Sequence, residues 1–389
     1  MEIEYKLPDR KHEDWKYYDP SDYERNLAEI SSEIKKDDLN QSELVKIVDK
    51  YVFREAVKSL IVTVNGHYRP DLSNFTNEDL EISSVDEAFF VKVKKDKVIS
   101  TPVQVLHISN RNTFNQIRSV IDLEQNSMLD VIVTYVGLED SCYIANARID
   151  CNLAVNARLH FDKIQNDSHK AVSLYNLNVK LERDADFQFN AFHFGAQSGR
   201  DEINVDLNGK NANADLSGLY VVSGKRKSHQ VIKVNHNQSH CTSSQLFKGL
   251  IDDEARAEFN GMIDVKRDAQ LTNATQLNNN LLLSDKAHVD SRPQLNILAD
   301  DVKCAHGSTI GQLNEEELFY LQSRGLSKED AFTTLTYSFC EQVLQKIKLA
   351  SCKNYATNLA FQKISKDSHD ETVAKLAQND KFKKSRYTK

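Results

Sequence analysis

Between residues 103 and 312 the hydrophobic positions recur at every second residue. In the clearest run, Ala147, Ile149, Cys151, Leu153, Val155, Ala157, Leu159 and Phe161 share one face. Arg148, Asp150, Asn152, Asn156, Arg158 and His160 lie on the other, with Ala154 the one exception. Side chains alternate across a strand, so this stretch predicts an apolar-in, polar-out ribbon, bent at most once. The alternation returns at Phe187–Phe194, Ile203–Leu207, Ala212–Leu216, Val231–Val234, Ala255–Phe259, Ala269–Leu271, Ala287–Val289 and Leu295–Ile297. Short strands this numerous, about 10 to 18 residues apart, are too many for one flat sheet. No segment of helical period separates them, which excludes βαβ crossovers. A large sandwich and a β-solenoid both fit. Asn-rich turns, with Asn278, Asn279 and Asn280 as candidates, and small Ala residues opening successive strands favour the solenoid.

The flanks differ. Leu44, Ile47, Val48 and Tyr51 fall at i, i+3, i+4 and i+7, predicting a helix over Asp38–Val52 with Ser42 as its cap. Lys58–Val64 and Ala88–Val93 read as short strands. Past residue 312 the period is helical. Asn314 before Glu315, Glu316 and Glu317 marks a helix start, with acids at the positive end of the dipole. Gly325 ends that helix. Ser327 with Asp330 opens a second one as a capping box with a shorter acid. Its apolar stripe is Phe332, Leu335, Phe339, Val343 and Ile347, and the two helices predict a hairpin docked at the end of the β region. The chain thus divides into a mixed region (1–100), a β core (101–312), a helical region (313–365) and a basic tail (366–389).

Composition narrows the picture. Of 389 residues only 12 are Gly and 5 Pro, too few turn residues for a sandwich of many tight hairpins. The 40% hydrophobic and 28% charged content supports a buried core. No run approaches the ~18 consecutive apolar residues of a membrane span. The opening MEIEYKLPDRKHEDWK lacks the apolar segment of a secretory signal, so the expectation is a cytoplasmic protein without a membrane partner. A net charge of −7 argues against a nucleic-acid partner held by overall charge. Cys142, Cys151, Cys241, Cys304, Cys340 and Cys352 form no CxxC pair and read as buried small hydrophobes.

Candidate chemistry is sparse. Gly218–Lys225 (GLYVVSGK) has five residues between its glycines where a phosphate loop needs four, and Arg226 stands where Ser or Thr should bind magnesium. Any nucleotide-driven step therefore belongs to another chain. His229, His236 and His240 cluster in sequence as candidate metal donors, with surface or turn histidines the plainer reading. Cys304 and His306 sit at i and i+2, so in a strand a thiolate and an imidazole face one ligand, a pairing suited to iron, zinc or an iron–sulfur cluster. Two donors leave such a site open to a partner chain or sulfide. Asp300 and Asp301, near Lys303, His306 and Arg292, raise the alternative of a polysaccharide-active solenoid, although adjacent strand residues point to opposite faces.

The segment Ser291–Leu313 (SRPQLNILADDVKCAHGSTIGQL), continued by EEELFYLQSRG to Gly325, resembles the SufB/SufD family of iron–sulfur cluster assembly proteins. Phe247–Ser284 is similar to the core of that family, and Pro8–Asp19 to its short N-terminal element, here Arg10, Glu13, Asp14 and Trp15. The resemblance runs in order along nearly the whole chain and is poorest over residues 20 to 100. Lys303–Gly307 (KCAHG) resembles the SufD branch, because Gly307 stands where SufB carries Glu.

The resemblance implies a right-handed parallel β-helix flanked by an N-terminal mixed and a C-terminal helical segment. It implies a non-catalytic subunit in a complex with SufB and the ABC-type ATPase SufC, which would hold the ATPase activity. His306, with Cys304 beside it, would lie at the SufB interface where iron or a transient cluster shared with SufB is held. Phe332, Leu335, Phe339 and Val343 would lie on the helix that docks SufC. A purely structural, iron-recruiting subunit is the alternative, and the open sheet edge allows a homodimer of the isolated chain.

Overall fold

The computed structural model describes residues 15, 18–30, 39–75, 79–85, 88–110, 113–138 and 141–364. The chain separates into two compact units, 1–312 and 313–389. In the first, β1–β5 are Ser59–Val64, His67–Tyr68, Asn74–Phe75, Leu80–Val85 and Ala88–Val93. Next come β6–β10, at Val103–Ser109, Phe114–Leu123, Met128–Gly137, Ile144–Leu153 and Arg158–Asn166. β11–β15 are Val172–Leu181, Asp186–His193, Ser198–Leu207, Asn213–Val222 and Lys227–His236. β16–β20 are Thr242–Ile251, Arg256–Val265, Asn273–Leu282, His288–Ile297 and Lys303–Gly311.

From β6 on, even-numbered strands build one sheet and odd-numbered strands the other, each pairing in parallel with the strand two places on. Parallel neighbours need a long connection. Here the connection is the intervening strand of the opposite sheet, so the chain winds as a parallel β-solenoid. The Ala147–Phe161 ribbon is two strands, β9 and β10, and Ala154, the residue that broke the alternation, opens the turn between them by accepting from Ala157 N at 3.0 Å.

That turn recurs. Asp96, Asn126, Asn156, Asp184, Asn211, His240 and Leu271 all have positive φ, one per coil at intervals of 27 to 31 residues. Asn and Asp enter the left-handed region most readily among residues with a Cβ. Their side chains also stack: Asn126 donates to Asp96 at 2.6 Å, Asn156 to Asn126 at 3.0 Å and Asn211 to Asp184 at 2.8 Å. Asn278, Asn279 and Asn280, expected in a turn, instead lie within β18. The alternation of Ala274 and Gln276 continues through them, and Asn278 and Asn280 are buried, with Asn278 donating to the Tyr220 hydroxyl at 3.0 Å.

The core lies between the sheets, where Leu159, Phe161, Phe187, Phe189, Leu216, Phe247 and Phe259 are buried and Phe161 stacks on Phe189 at 5.5 Å. Gly218, in the near-miss phosphate loop, is a core residue of β14, and a Cβ there would come within 2.5 Å of the Phe247 ring. Burial is not wholly apolar. The Lys163 ammonium is enclosed, 2.6 Å from Asp201, which also lies 3.1 Å from His193.

Trp15, Tyr18 and the first helix lie on the outside of the coils. Trp15 stacks on the Arg200 guanidinium at 4.1 Å, and Tyr18 and Tyr23, on and before α1 (Ser21–Glu29), pack with Ile144, Val172 and Leu174. Arg10, Glu13 and Asp14 of the same element lie outside the described residues, as does the basic tail. Helix α2 (Gln41–Tyr51) covers Leu60, Val62, Leu106 and Ile108 with Leu44 and Val48. Its cap is Asn40, not Ser42: Asn40 Oδ1 accepts from Glu43 N at 3.0 Å while the Glu43 carboxylate accepts from Asn40 N at 3.1 Å. A capping box places its acid three residues after the cap, and Ser42 has no acid there.

The second unit holds α3 (Glu315–Ser323), α4 (Lys328–Leu344) and α5 (Ala350–Ile364), one helix more than the expected hairpin. Asn314 and Ser327 cap α3 and α4, and Gly325 takes φ +99° after α3. Tyr337 of α4 stacks on Phe361 of α5 at 4.5 Å. The buried side of α5 mixes small residues, Cys352, Ala356 and Ala360, with Leu359, Phe361 and Ile364.

Candidate functional site

The site follows from register. In β18, Ala274, Gln276 and Asn278 turn inward and are buried. β20 pairs with it in parallel, setting Cys304 beside Ala274, His306 beside Gln276 and Ser308 beside Asn278. Parallel, in-register pairing carries the facing across, so Cys304, His306 and Ser308 share the inward side. β20 ends one sheet and β19 the other, so among the described residues each has one edge with no paired strand.

Cys304 is half-buried against Ile263, Val265, Ala269, Ala274 and Ala299. Burial pushes its thiol above the ordinary range, opposed by a backbone hydrogen bond at Ala274. It is therefore a protonated thiol at neutral pH, and a metal must displace that proton to use the sulfur. His306 is exposed. Among the described residues, no group of three or more His, Cys, Asp or Glu side chains is placed to hold a metal ion. Cys304 and His306 thus offer two donors on one side of an open strand, with no third such donor beside them among the described residues.

The other candidates disperse. His229 faces outward, 2.9 Å from Glu258 and edge-on to Tyr18, while His236 is buried in the interior, 2.8 Å from Ser243 Oγ. His240 occupies a positive-φ turn. The three do not converge because an even spacing in β15 would have been needed for the first two, and they are seven apart. Asp300 and Asp301 are exposed on the β19–β20 connection, and Arg292 is engaged by Glu258 at 2.6 Å.

On α4, Phe332, Leu335 and Phe339 are half-buried, whereas Val343 is fully buried. Val343 therefore supports the helix rather than its surface. Two features had no signal in sequence. Phe319 and Tyr320 on α3 are exposed at 72% and 56%, and an isolated aromatic pair in a helix of mixed pattern does not announce a surface. Gln276 is completely buried beside His306, a placement that only the pairing register reveals.

A profile of the SUF system FeS cluster assembly SufBD core domain matches residues 106–339, more than half of the chain. The chain belongs to the SufBD family. The iron–sulfur cluster assembly protein SufD of Escherichia coli (strain K12) is 29% identical over 372 residues, covering 88% of this chain and 86% of that protein. A SufBD family protein of Synechocystis is 26% identical over 89% of this chain and 85% of its own length. SufD of Bacillus subtilis is 24% identical, covering 82% and 70%. The SufBD core match runs from within β6 through β20, with Cys304 and His306, and reaches Phe339 in α4; Val343 lies beyond it. Among the described residues of this SufBD protein, no helix is long and apolar enough to cross a membrane.

Proposed function

We propose that this chain is the SufD-type subunit of an iron–sulfur cluster assembly complex. It pairs with a SufB-type subunit through β19 and β20, and its helical unit docks a SufC-type ABC ATPase. The observation that carries this reading is the bare terminal coil: two strands with one unpaired edge each, and His306 exposed on the inward side of one of them. An unpaired strand edge is a template for another chain. Leu277, Ile297, Leu298 and Ile310 are exposed around it, an apolar fringe suited to burial by a partner solenoid.

Within this reading the chain does no bond chemistry of its own. His306 presents a neutral imidazole to iron or a nascent cluster as cargo. Cys304 adds a sulfur once its proton is displaced, and SufB and sulfide complete the ligand set. Phe332, Leu335 and Phe339, supported from beneath by Val343, form the SufC-facing side of α4. ATP-driven closure of SufC pulls on the segment Ser327–Leu349 and opens the SufB contact, biasing a two-state interface.

A structural arm that holds its partners without ligating cargo is the second reading, favoured by the raised thiol of Cys304. One experiment separates the two. The chain is co-expressed with cognate SufB and SufC, the complex is isolated, and iron and sulfide are added anaerobically. His306→Ala in an intact complex should remove most of the cluster absorbance. Undiminished cluster would leave only the structural arm, and failure to form any complex would overturn both.

A further inference from the structure

The interior in register with His306 contains a hydrogen-bonded glutamine pair whose end next to His306 is open. Gln245 and Gln276 are stacked in register on β16 and β18, and both are buried. Gln276 Nε2 donates to Gln245 Oε1 at 2.8 Å. The nitrogen is also held over the backbone of Gly261 in the opposite sheet, where a Cβ would fall onto it. That leaves Gln276 Oε1, a buried carbonyl oxygen with no hydrogen-bond partner. A buried acceptor without a donor costs stability and calls for a reason.

The side chain next in the same column is that of His306. Reversing the Gln276 amide alone would not satisfy the oxygen, because it would set two carbonyl oxygens against each other at the Gln245 contact. Gln245 Nε2 is likewise buried without a partner, and the donation from Gln276 Nε2 to Gln245 Oε1 leaves Oε1 as the Gln276 atom available to His306.

We propose that Gln276 selects the tautomer of His306. Its Oε1 accepts one imidazole N–H, so the proton is kept on that nitrogen and the lone pair of the other is presented to the metal. A histidine ligand usually donates its second ring N–H to a fixed oxygen, which orients the ring and raises its basicity. Gln276 is a positioning residue, since it acts through His306. The consequence for metal rests on the reading of His306 as a ligand; the tautomer itself does not.

The test uses the full chain labelled with 15N-histidine at about pH 8.5, two units above the ordinary imidazole value. The His306 signals are identified by their loss in His306→Ala. Wild type should show one dominant tautomer, and Gln276→Leu an averaged pair. Both proteins are then titrated with cobalt(II), where Gln276→Leu should bind about 10-fold more weakly than wild type. If Gln276→Leu leaves the His306 tautomer unchanged, the proposal is overturned. If the tautomer is lost while cobalt affinity stays the same, Gln276 acts as proposed, and it is the ligand role of His306 that fails. Should Gln276→Leu not fold, Gly261→Ala takes its place: it displaces Nε2 while retaining every atom of Gln276, and the same spectral change is expected.

Discussion

Single residues inside the solenoid carry charge at a cost that their neighbours offset. Burial pulls the Lys163 amine down, while His193 and Lys163 together hold Asp201 below the usual carboxylate range against its own burial. The 2.6 Å contact and the Tyr175 ring 3.8 Å from the ammonium fit a true ion pair. Removing one member strands the other, so Asp201→Asn should lower unfolding free energy by about 3–5 kcal/mol. The double variant with Lys163→Met should lose less than the sum, read from urea midpoints.

Buried neutral histidines set the acid limit. Burial lowers His107 to about 3 and His236 to about 4. Above the unfolded value of about 6.5 neither state binds the proton. Below it the unfolded chain takes up protons that the folded chain refuses, so stability falls as pH drops toward those values. The slope is at most about 1.4 kcal/mol per pH unit for each residue. His236→Gln should flatten the fall between about pH 6.5 and pH 4, seen as a smaller shift in the urea midpoint.

At this scale the site was half legible. Cys304 and His306 could be placed on one side because strand periodicity is local. Gln276 could not, because its partner lies thirty residues on and only the register brings them together.

Elements were more readable than their ends. Alternation across Ala147–Phe161 identified strand and facing, yet one ribbon was two strands because apolar residues resume on the same side after the bend at Ala154. Asn278–Asn280 misled for the converse reason: an amide in a turn and an amide in a polar interior have the same composition. The stacked turns can be tested directly. Asn156 has φ 57° and bonds the coil before it, so Asn156→Ala should cost about 1–2 kcal/mol and Asn156→Gly less. Gly218→Ala drives a methyl into the buried Phe247 ring and should cost about 1–3 kcal/mol. Thermal unfolding of both series would measure the difference. α5 was not set apart within the helical region because half of its buried positions, Cys352, Ala356 and Ala360, are small residues standing beside Leu359, Phe361 and Ile364.

Across the first unit, the two ends of the solenoid differ. Near its start the strands are overlaid by α2, while the last coil has exposed edges and an exposed fringe. Ile310→Lys should leave the isolated chain folded by circular dichroism while abolishing co-purification with a SufB-type partner; an unimpaired complex would place the contact elsewhere. Phe339→Asp should release the ATPase and spare the SufB contact, as read by size-exclusion chromatography with light scattering.

The recurrent turn has a consequence for descent. Coils of 27 to 31 residues begin and end at a left-handed residue, Asn or Asp at five of the seven turns, so an in-frame duplication or loss of one such coil joins like to like. Such an event would move the overlaid start away from, or toward, the bare end by one strand spacing, about 4.8 Å, and leave the chemistry of both untouched. A change of length by one whole coil would therefore leave the two ends of the solenoid as they stand.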